Sequence, residues 1–331
     1  MALENINKKL VVSESPHVRS GNSTAQVMLD VVIALMPALA AGTVIFGFRA
    51  IFVTLVCVLA AVASEWIWQK LLKQPITVGD FSAVVTGLLL ALNLPVTIPL
   101  WIAAIGSVFA IIVVKQFFGG IGHNFMNPAL AARAFLLTSW AQAMTTWQQP
   151  YADAISSATP LAIMKGGLEE KLPTYLEMFL GNTPGCIGEV STLAILLGAA
   201  YLLFKRVISI RIPATYIITV AVLTFIFGGK DGFFKGDALM HILSGGLMLG
   251  AFFMATDYVT TPYTKTGQII FGLGCGILTS VIRIYGGYPE GTSYAILLMN
   301  VVAPLIDKKC VPKRFGAPKE KKFKLAKGGR N

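Results

Sequence analysis

Apolar runs long enough to cross a lipid bilayer dominate this sequence of 331 residues. A membrane-spanning helix needs roughly 20 consecutive apolar residues, and several runs reach or approach that length. Only 13% of the residues are charged, about half of what a soluble domain carries. The sequence therefore predicts an all-α integral membrane protein with about ten transmembrane helices, and not the roughly two soluble domains that its length alone would suggest.

Charged residues and Gly or Pro breaks separate about ten candidate spans. The third and fifth spans are short for a full crossing, which is tolerated where a helix is shielded by protein or lines a cavity. In chain order the predicted spans are 25–48, 51–69, 81–94, 98–114, 127–143, 190–204, 212–227, 238–256, 267–284 and 292–306.

The basic residues predict the orientation, because cytoplasmic segments of membrane proteins are enriched in Lys and Arg. With the N-terminus inside, 21 of the 27 Lys and Arg residues fall on the cytoplasmic side, ten of them in the tail Lys308–Arg330. Without the tail, 11 Lys and Arg residues still fall on the cytoplasmic side and 6 on the outer side. Such a tail after a membrane helix is more typical of a cytoplasmic segment near anionic lipid than of a nucleic-acid binder.

This topology divides the chain into five segments. The start is polar and has no cleavable signal peptide, so the first apolar run is expected to be retained. The predicted segments are a cytoplasmic N-terminal segment (1–24), a first five-helix half (25–143), an extracytoplasmic loop (144–189), a second five-helix half (190–306) and a basic cytoplasmic tail (307–331).

Weak sequence similarities between the two halves indicate an inverted repeat, as in channel and transporter folds. The run at 87–91, Gly-Leu-Leu-Leu-Ala, resembles Gly-Leu-Met-Leu-Gly at 246–250, each in the third span of its half. The alternative is that glycines recur in any membrane bundle because they let helices approach closely.

The outer loop carries the motif with the clearest chemistry, Asp153-Ala-Ile-Ser156-Ser157-Ala158-Thr159 followed by proline. Proline disfavours helix at the residue before it, so Thr159 is expected to be extended, with its hydroxyl available. Read without further information, a Ser/Thr/Ala stretch is an ordinary loop or helix cap.

This motif resembles the D-x-x-[ST]-[GS]-A-T signal of the NqrB/RnfD family, which comprises membrane subunits of sodium-pumping quinone reductases and of Rnf complexes. The usual penultimate glycine is Ser157 here. The runs at 119–135 and 254–262 also resemble family signatures, so the likeness covers nearly the whole chain. The chain length is closer to the Rnf branch than to the quinone reductase branch, whose N-terminal part is usually longer.

The resemblance implies that a flavin transferase links FMN to Thr159 through a phosphoester. It implies that Asp153, Ser156, Ser157 and Ala158 serve this attachment, and that the chain works with other Rnf subunits in a bacterial or archaeal cell membrane. Asp153 would then be a recognition element or a metal contact during transfer. The transferase works outside the cytoplasm, where the basic-residue count independently places Thr159.

Polar residues in or near the predicted spans are candidates for a second flavin and for an ion pathway. Asn124 and Asn127 are expected to line a polar pocket, and the resemblance allows a non-covalent flavin such as riboflavin there. Asp257, with the nearby hydroxyl of Thr260, is the leading candidate for an ion pathway, and Asp30 is another. Both acids are also near enough to a helix end to be simple surface residues. Glu65, beside Trp66, fits an interfacial position instead.

The resemblance favours a flavoprotein electron carrier in an ion-translocating ferredoxin:NAD oxidoreductase, with Na⁺ or H⁺ transport and no complete active site in this chain. Nothing in the sequence suggests a metal site, since the four cysteines are scattered without a C-x-x-C pair. Two alternatives remain open: a flavin-free channel or transporter, and the NqrB-type subunit of a Na⁺-translocating NADH:quinone reductase.

Overall fold

The computed structural model describes residues 23–152, 155–156, 159–166, 172–229, 232–287 and 290–311, with only the backbone described at 155–156. The first half of the described chain is a set of apolar helices, two long and the others shorter. They are α1 (Thr24–Phe46), α2 (Arg49–Leu71), α3 (Ser82–Leu92), α4 (Leu100–Phe109), α5 (Pro128–Ser139) and α6 (Ala141–Met144). A 3₁₀ turn (Val78–Asp80) precedes α3, and α4 continues as a π-helix (Ala110–Lys115) and a 3₁₀ turn (Gln116–Phe118).

The central loop contains a small hairpin and two short helices. Strands β1 (Trp147–Gln148) and β2 (Ile155–Ser156) pair antiparallel, with Trp147 opposite Ser156. They are followed by α7 (Pro160–Met164) and α8 (Tyr175–Leu180).

The second half has longer helices around a broken one. The helices are α9 (Thr192–Phe204), α10 (Arg211–Phe227), α11 (Ala238–Leu243), α12 (Leu247–Leu249), a π-helix (Gly250–Met254), α13 (Lys265–Tyr285) and α14 (Thr292–Lys309). The predicted eighth span is thus not one continuous helix. Gly245 (φ +67°) lies between α11 and α12, in the left-handed region that glycine adopts most readily, and interrupts the helix there.

The described residues include four helices that are long and apolar enough to cross a membrane: Thr24–Phe46, Arg49–Leu71, Leu100–Phe118 and Lys265–Tyr285. Three shorter apolar helices accompany them: Ser82–Leu92, Thr192–Phe204 and Arg211–Phe227. Many large apolar side chains point outward, among them Phe52, Leu59 and Leu197. Outward apolar surface of this extent fits a multi-pass membrane protein, while the count of ten crossings stays a prediction.

Local sequence signals explain where the helices begin. Ser23 and Gln26 form a capping box at the start of α1. Asn127 caps α5 by accepting from the amides of Ala129 and Leu130, and Pro128 occupies the first helical position. The fifth predicted span therefore begins where the sequence indicated.

Small residues set the helix packing. Helix α1 packs on α9, α2 on α3 and α4, and α10 along α13. A Cβ on Gly198 would lie 1.9 Å from the carbonyl oxygen of Ala34, so α1 and α9 meet through backbone.

The bundle has two distinct ends. At one end Tyr151 N donates to Ile45 O, and the Arg49 guanidinium donates to Val96 O, so the hairpin lies over the α1–α2 turn. At the other end Lys115 binds Ser82, and Tyr258 donates to Val207 O. These are called the hairpin end and the opposite end below.

Candidate functional site

Thr159 is the N-cap residue of α7, directly before Pro160. Its backbone is extended (φ −84°, ψ 157°), as the following proline predicts. Its hydroxyl oxygen accepts from the amide of Ala162 at 3.3 Å, and the residue is only 6% exposed. The expectation of an openly available hydroxyl is therefore wrong for this conformation, because the hydroxyl caps a helix inside the protein.

The rest of the motif is described only in part. Asp153, Ser157 and Ala158 lie outside the described residues. Ser156 pairs through its backbone with Trp147.

A small cavity of about 10 Å³ lies beside Thr159, large enough for about one water-sized occupant. It is too small for a flavin ring, so a flavin attached to Thr159 would have to project from the cavity rather than fill it. The lining is mixed polar and apolar and includes two carboxylates. The principal residues are Thr159, Thr183, Glu189, Ser244 and Glu290.

Those carboxylates belong to a buried charged cluster around Arg133 of α5. Arg133 forms an ion pair with Glu290 and donates to the Asn93 side-chain oxygen at 3.0 Å. Its other terminal nitrogen also lies 3.5 Å from Cys186 Sγ. A buried guanidinium with several acceptors fixes α5 relative to the end of α3 and to the segment before α14.

Glu189 completes the cluster from the loop between α8 and α9, outside the spanning helices. One carboxylate oxygen accepts from the Cys186 amide at 2.9 Å, and the other is buried without a hydrogen-bond partner among the described residues. Burial raises the pKa of Glu189 to about 7, and Glu290 raises it too, while Arg133 opposes both. The same burial, with the charge of Glu189 beside it, raises the pKa of the Cys186 thiol, so Cys186 is a neutral thiol.

Backbone hydrogen bonds explain why this loop segment lies so deep. Ile187 N donates to Leu94 O at 3.0 Å, and Gly188 N donates to Leu92 O at 2.8 Å. A Cβ on Gly188 would lie 2.5 Å from the Leu92 Cβ, so the close approach needs glycine. The segment thereby satisfies carbonyls left open where α3 ends.

A second cavity, of about 100 Å³, opens at the opposite end of the bundle. Asn124, Asn127 and Asp257 all line it, so the structure brings the predicted second-flavin residues together with the leading ion-path residue. Both asparagines are already engaged: Asn127 caps α5 and donates to Met254 O at 3.4 Å, and Asn124 donates to Met126 O. Pockets for drug-sized ligands measure about 300 Å³ or more, so a flavin here would have to widen the cavity or extend from its mouth.

Of the predicted ion-path residues, Asp257 and Thr260 are in contact, while Asp30 has other bonding partners. Asp257 accepts from the Thr260 hydroxyl at 3.2 Å and from the Val259 amide, which makes a capped turn. Asp30 accepts from the Tyr201 hydroxyl at 2.7 Å and lies 3.8 Å from the Lys205 ammonium. Whether either residue carries ions stays a prediction.

Glu65 differs from the sequence-based expectation of an interfacial residue. It is 1% exposed and pairs with Lys115 at 2.8 Å, with Gln116 and Gln69 donating to the same carboxylate. Because Lys115 comes from the distant end of the α4 helix, the local Trp pattern could not reveal this pair.

The comparisons with known proteins decide the family. The model of the NQR2, RnfD, RnfE family matches residues 11–316. The chain belongs to this family.

Relatives in the family are alike over nearly their whole length. The D subunit of the Na⁺-translocating ferredoxin:NAD⁺ oxidoreductase complex of Acetobacterium woodii is 53% identical over 316 residues, which cover 95% of this chain and 97% of the relative. The D subunit of the proton-translocating ferredoxin:NAD⁺ oxidoreductase complex of Clostridium ljungdahlii is 48% identical, covering 96% and 99%. The D subunit of the ion-translocating oxidoreductase complex of Stutzerimonas stutzeri is 40% identical, covering 89% and 93%.

The local sequence patterns of this NQR2, RnfD, RnfE family member do not predict the buried cluster around Arg133. Arg133 offers a signal, because a charged residue inside an apolar span is expensive and therefore usually functional or paired. The charge count treats it as a cytoplasmic residue, which its burial contradicts. When the tail and the buried residues Arg133, Lys115 and Arg283 are not counted, nine basic residues fall on the cytoplasmic side and five on the outer side. This still favours the same orientation.

Proposed function

We propose that this chain is the membrane flavoprotein subunit of an Rnf-type ion-translocating ferredoxin:NAD oxidoreductase. The observation that carries the proposal is the whole-length similarity to relatives named as the D subunits of such complexes, 53% and 48% identical over at least 95% of this chain. The chain is one electron-carrying subunit of the oxidoreductase, and other subunits of the complex bind NAD and hold the iron–sulfur clusters. The coupling ion is Na⁺ or H⁺, since the two relatives differ in this.

FMN is proposed to be joined to Thr159 by a phosphoester that a flavin transferase forms. Supporting this are the motif Asp153-x-x-Ser156-Ser157-Ala158-Thr159 and the position of Thr159 at a cavity. The attached flavin accepts and passes electrons. Thr159 fixes its phosphoryl end, and the buried hydroxyl implies that attachment requires the N-terminal cap of α7 to open.

A second, non-covalent flavin such as riboflavin is proposed for the cavity at the opposite end. The support is that Asn124 and Asn127 line it together, with amide groups able to bond a flavin ring after local rearrangement. Ion passage is proposed to involve Asp257, Thr260 and Asp30 at the same end of the bundle.

The topology is proposed to be about ten crossings in two inverted halves, with both termini cytoplasmic and Thr159 outside. Two short helices that end inside the molecule support the repeat. Asn93, after α3, donates to Met254 Sδ at 3.6 Å, so the third elements of the two halves meet end to end. The hairpin end holds Thr159, and the basic-residue count makes it the outer end.

In-gel flavin fluorescence after denaturing electrophoresis tests the attachment. The wild-type chain, co-expressed with the transferase, is expected to give a fluorescent band that Thr159→Ala abolishes. Thr183→Ala is the matched control, because Thr183 also precedes a proline, is also 6% exposed and lines the same cavity. A wild-type chain without a band would contradict the covalent flavin.

The two rival functions have their own signatures. A flavin-free transporter would move ions in vesicles with no covalent flavin and no dependence on Thr159. An NqrB-type protein would belong to a purified complex that reduces added quinone with NADH and does not react with ferredoxin.

A further inference from the structure

A third cavity, of about 180 Å³, lies at the hairpin end and is distinct from the one beside Thr159. It is bounded by α7 and α11 and by the ends of α10 and α13. The cavity is larger than a water site needs and smaller than the roughly 300 Å³ of a pocket for a drug-sized ligand. It therefore has room for a small group rather than for a ring system such as a flavin.

The described residues that line this cavity include basic side chains and no acidic one. The basic side chains are Lys165 after α7, His241 of α11 and Arg283 of α13. The cavity beside Thr159 has two carboxylates in its lining, so the two cavities are opposite in charge. A small cavity surrounded by basic groups favours an anion.

Arg283 is a buried cation without an ion pair among the described residues. It is 3% exposed, and its guanidinium donates to the carbonyls of His241 and Ser244. These two bonds cap the end of α11, but Nε stays buried without an acceptor in the described part of the chain. The carbonyls are neutral, so they do not balance the charge of Arg283.

The nearby acids do not contact Arg283 either. Glu290 is paired with Arg133, and Glu189 and Glu290 act on Arg283 only through space. A buried charge is costly unless an opposite charge is bound to it. Arg283 is therefore suited to bind an anion that enters the cavity.

Two further nitrogen-bearing side chains lie around the same cavity. His241 is 7% exposed, and its Nδ1 is buried without a partner among the described residues. Lys165 is exposed and donates to Ile282 O at 3.4 Å and to Gly286 O, which fixes α7 against the end of α13. Asp237, the acid nearest in charge to His241, caps α11 and accepts from a tyrosine hydroxyl, so it is already engaged outside the cavity.

The rest of the lining is mainly apolar and lies at the ends of apolar helices. It includes Met164, Phe227 and Ile284, of which Phe227 is 42% exposed. Tyr285, next to Ile284, is 72% exposed. Aromatic side chains at helix ends are typical of the membrane interface, where phospholipid headgroups lie. A basic cavity in this position suits a headgroup whose acyl chains run along the outer face of the helices.

We propose that this cavity binds a phosphate group, carried by an anionic phospholipid or by a free phosphate ion. Arg283 and His241 bind it inside the cavity, and Lys165 adds a positive charge at the rim. Arg283 Nε is covered in this conformation, so binding is accompanied by a small rotation of the side chain. Guanidinium groups bind phosphate oxygens through charge-assisted hydrogen bonds. The proposal does not depend on a flavin at Thr159.

Native mass spectrometry of the purified complex, in detergent with phosphatidylglycerol and phosphatidylcholine in equal amounts, tests the lipid source. The wild type is expected to retain phosphatidylglycerol in preference to phosphatidylcholine. Arg283→Gln is expected to weaken that binding about tenfold or more, because hydrogen bonds from a charged donor are lost. Lys205→Gln is the matched control, since it removes one positive charge from a side chain that is 48% exposed at the opposite end.

A second variant keeps the test decisive if Arg283→Gln does not fold, since Arg283 also caps α11. Met164→Trp is expected to fill the cavity while leaving all three basic side chains in place. It should lose the preference for phosphatidylglycerol, and circular dichroism of the purified protein verifies that its helices are intact.

Melting temperatures of the delipidated complex distinguish a lipid from a free ion. If the phosphate belongs to a lipid, phosphatidylglycerol stabilises the wild type but not Arg283→Gln or Met164→Trp, and inorganic phosphate stabilises none of them. If it is a free ion, inorganic phosphate stabilises the wild type more than chloride does at equal ionic strength, and both variants lose this response.

Two results would overturn the site. The first is a wild type that responds neither to phosphatidylglycerol nor to inorganic phosphate. The second is a response that persists in folded Arg283→Gln or Met164→Trp protein, or that Lys205→Gln weakens equally, because general attraction of anions to a basic protein would then explain it.

Discussion

A buried charge is tolerated where an opposite charge lies close to it. Lys115 and Glu65 are the clearest case, 3% and 1% exposed and 2.8 Å apart. Removing one member of a buried pair leaves the other charge without compensation, which costs more than the pair itself contributes.

Lys115→Met is therefore expected to destabilise the protein by about 3–5 kcal/mol, because Glu65 would remain buried and charged without its cation. Thermal unfolding in detergent measures the loss. Lys205→Met is the matched control: its pair with Asp30 is 3.8 Å long and the lysine is 48% exposed, so about 1 kcal/mol or less is expected. Equal losses in the two variants would contradict this account of the buried pair.

The raised pKa of Glu189 predicts that the free energy of unfolding depends on pH. Its folded pKa of about 7 lies above the ordinary value of 4.5, so the folded state binds the proton more tightly than the unfolded state does. The free energy of unfolding of the wild type, relative to that of Glu189→Gln, should be constant below about pH 4.5. It should fall as the pH rises to about 7 and stay level above that. Paired melting curves of the wild type and Glu189→Gln across this window measure it, and a difference that grows toward acid would contradict the assignment.

At the scale of elements, the sequence predicted most helices but not the interruptions within the fifth and eighth predicted spans, the fifth being divided into α5 and α6. Periodicity and Gly or Pro breaks located α1, α2, α9, α10 and α13 to within a few residues. The eighth predicted span is divided into α11, α12 and a π-helix, since composition cannot distinguish a continuous apolar helix from one interrupted inside the protein.

At the candidate site, the sequence likewise predicted the features that depend on neighbouring residues and missed those that depend on tertiary contacts. The extended backbone of Thr159 followed from the proline beside it, a local effect. Its burial, and the meeting of Arg133 with Glu290 across more than 150 positions, depend on tertiary packing that no local pattern encodes. A charged residue in an apolar run was the one available signal.

The α1–α9 contact is expected to depend on Gly198. A Cβ there would lie 1.9 Å from the Ala34 carbonyl oxygen, which is backbone and cannot move aside without shifting α1. Gly198→Ala should lower the melting temperature and the yield of folded protein, as over-packing costs roughly 1–3 kcal/mol. Gly79→Ala is the control, since a Cβ there would meet nothing within 4 Å. A Gly198→Ala protein as stable as the control would show that the two helices are not in close contact.

At the scale of the whole molecule, the two ends of the bundle are proposed to face different compartments. Gln149 and Gln74 form a matched pair, because both are exposed glutamines in loops, the first at the hairpin end and the second at the opposite end. In intact cells, a membrane-impermeant maleimide is expected to label Gln149→Cys and not Gln74→Cys. Three native cysteines, Cys57, Cys186 and Cys275, are buried and should stay unlabelled. The reverse pattern would invert the topology and place Thr159 in the cytoplasm.

The central claim joins the membrane fold to a covalent flavin on one residue of the outer loop. Peptide mass spectrometry of the chain, purified from cells that contain the transferase, tests it most directly. We expect an FMN phosphoryl group on the peptide that contains Thr159, with fragment ions that place it on Thr159 and no such group elsewhere in the chain. An unmodified Thr159 peptide, or FMN located on Ser156, Ser157 or Thr183 instead, would contradict the claim.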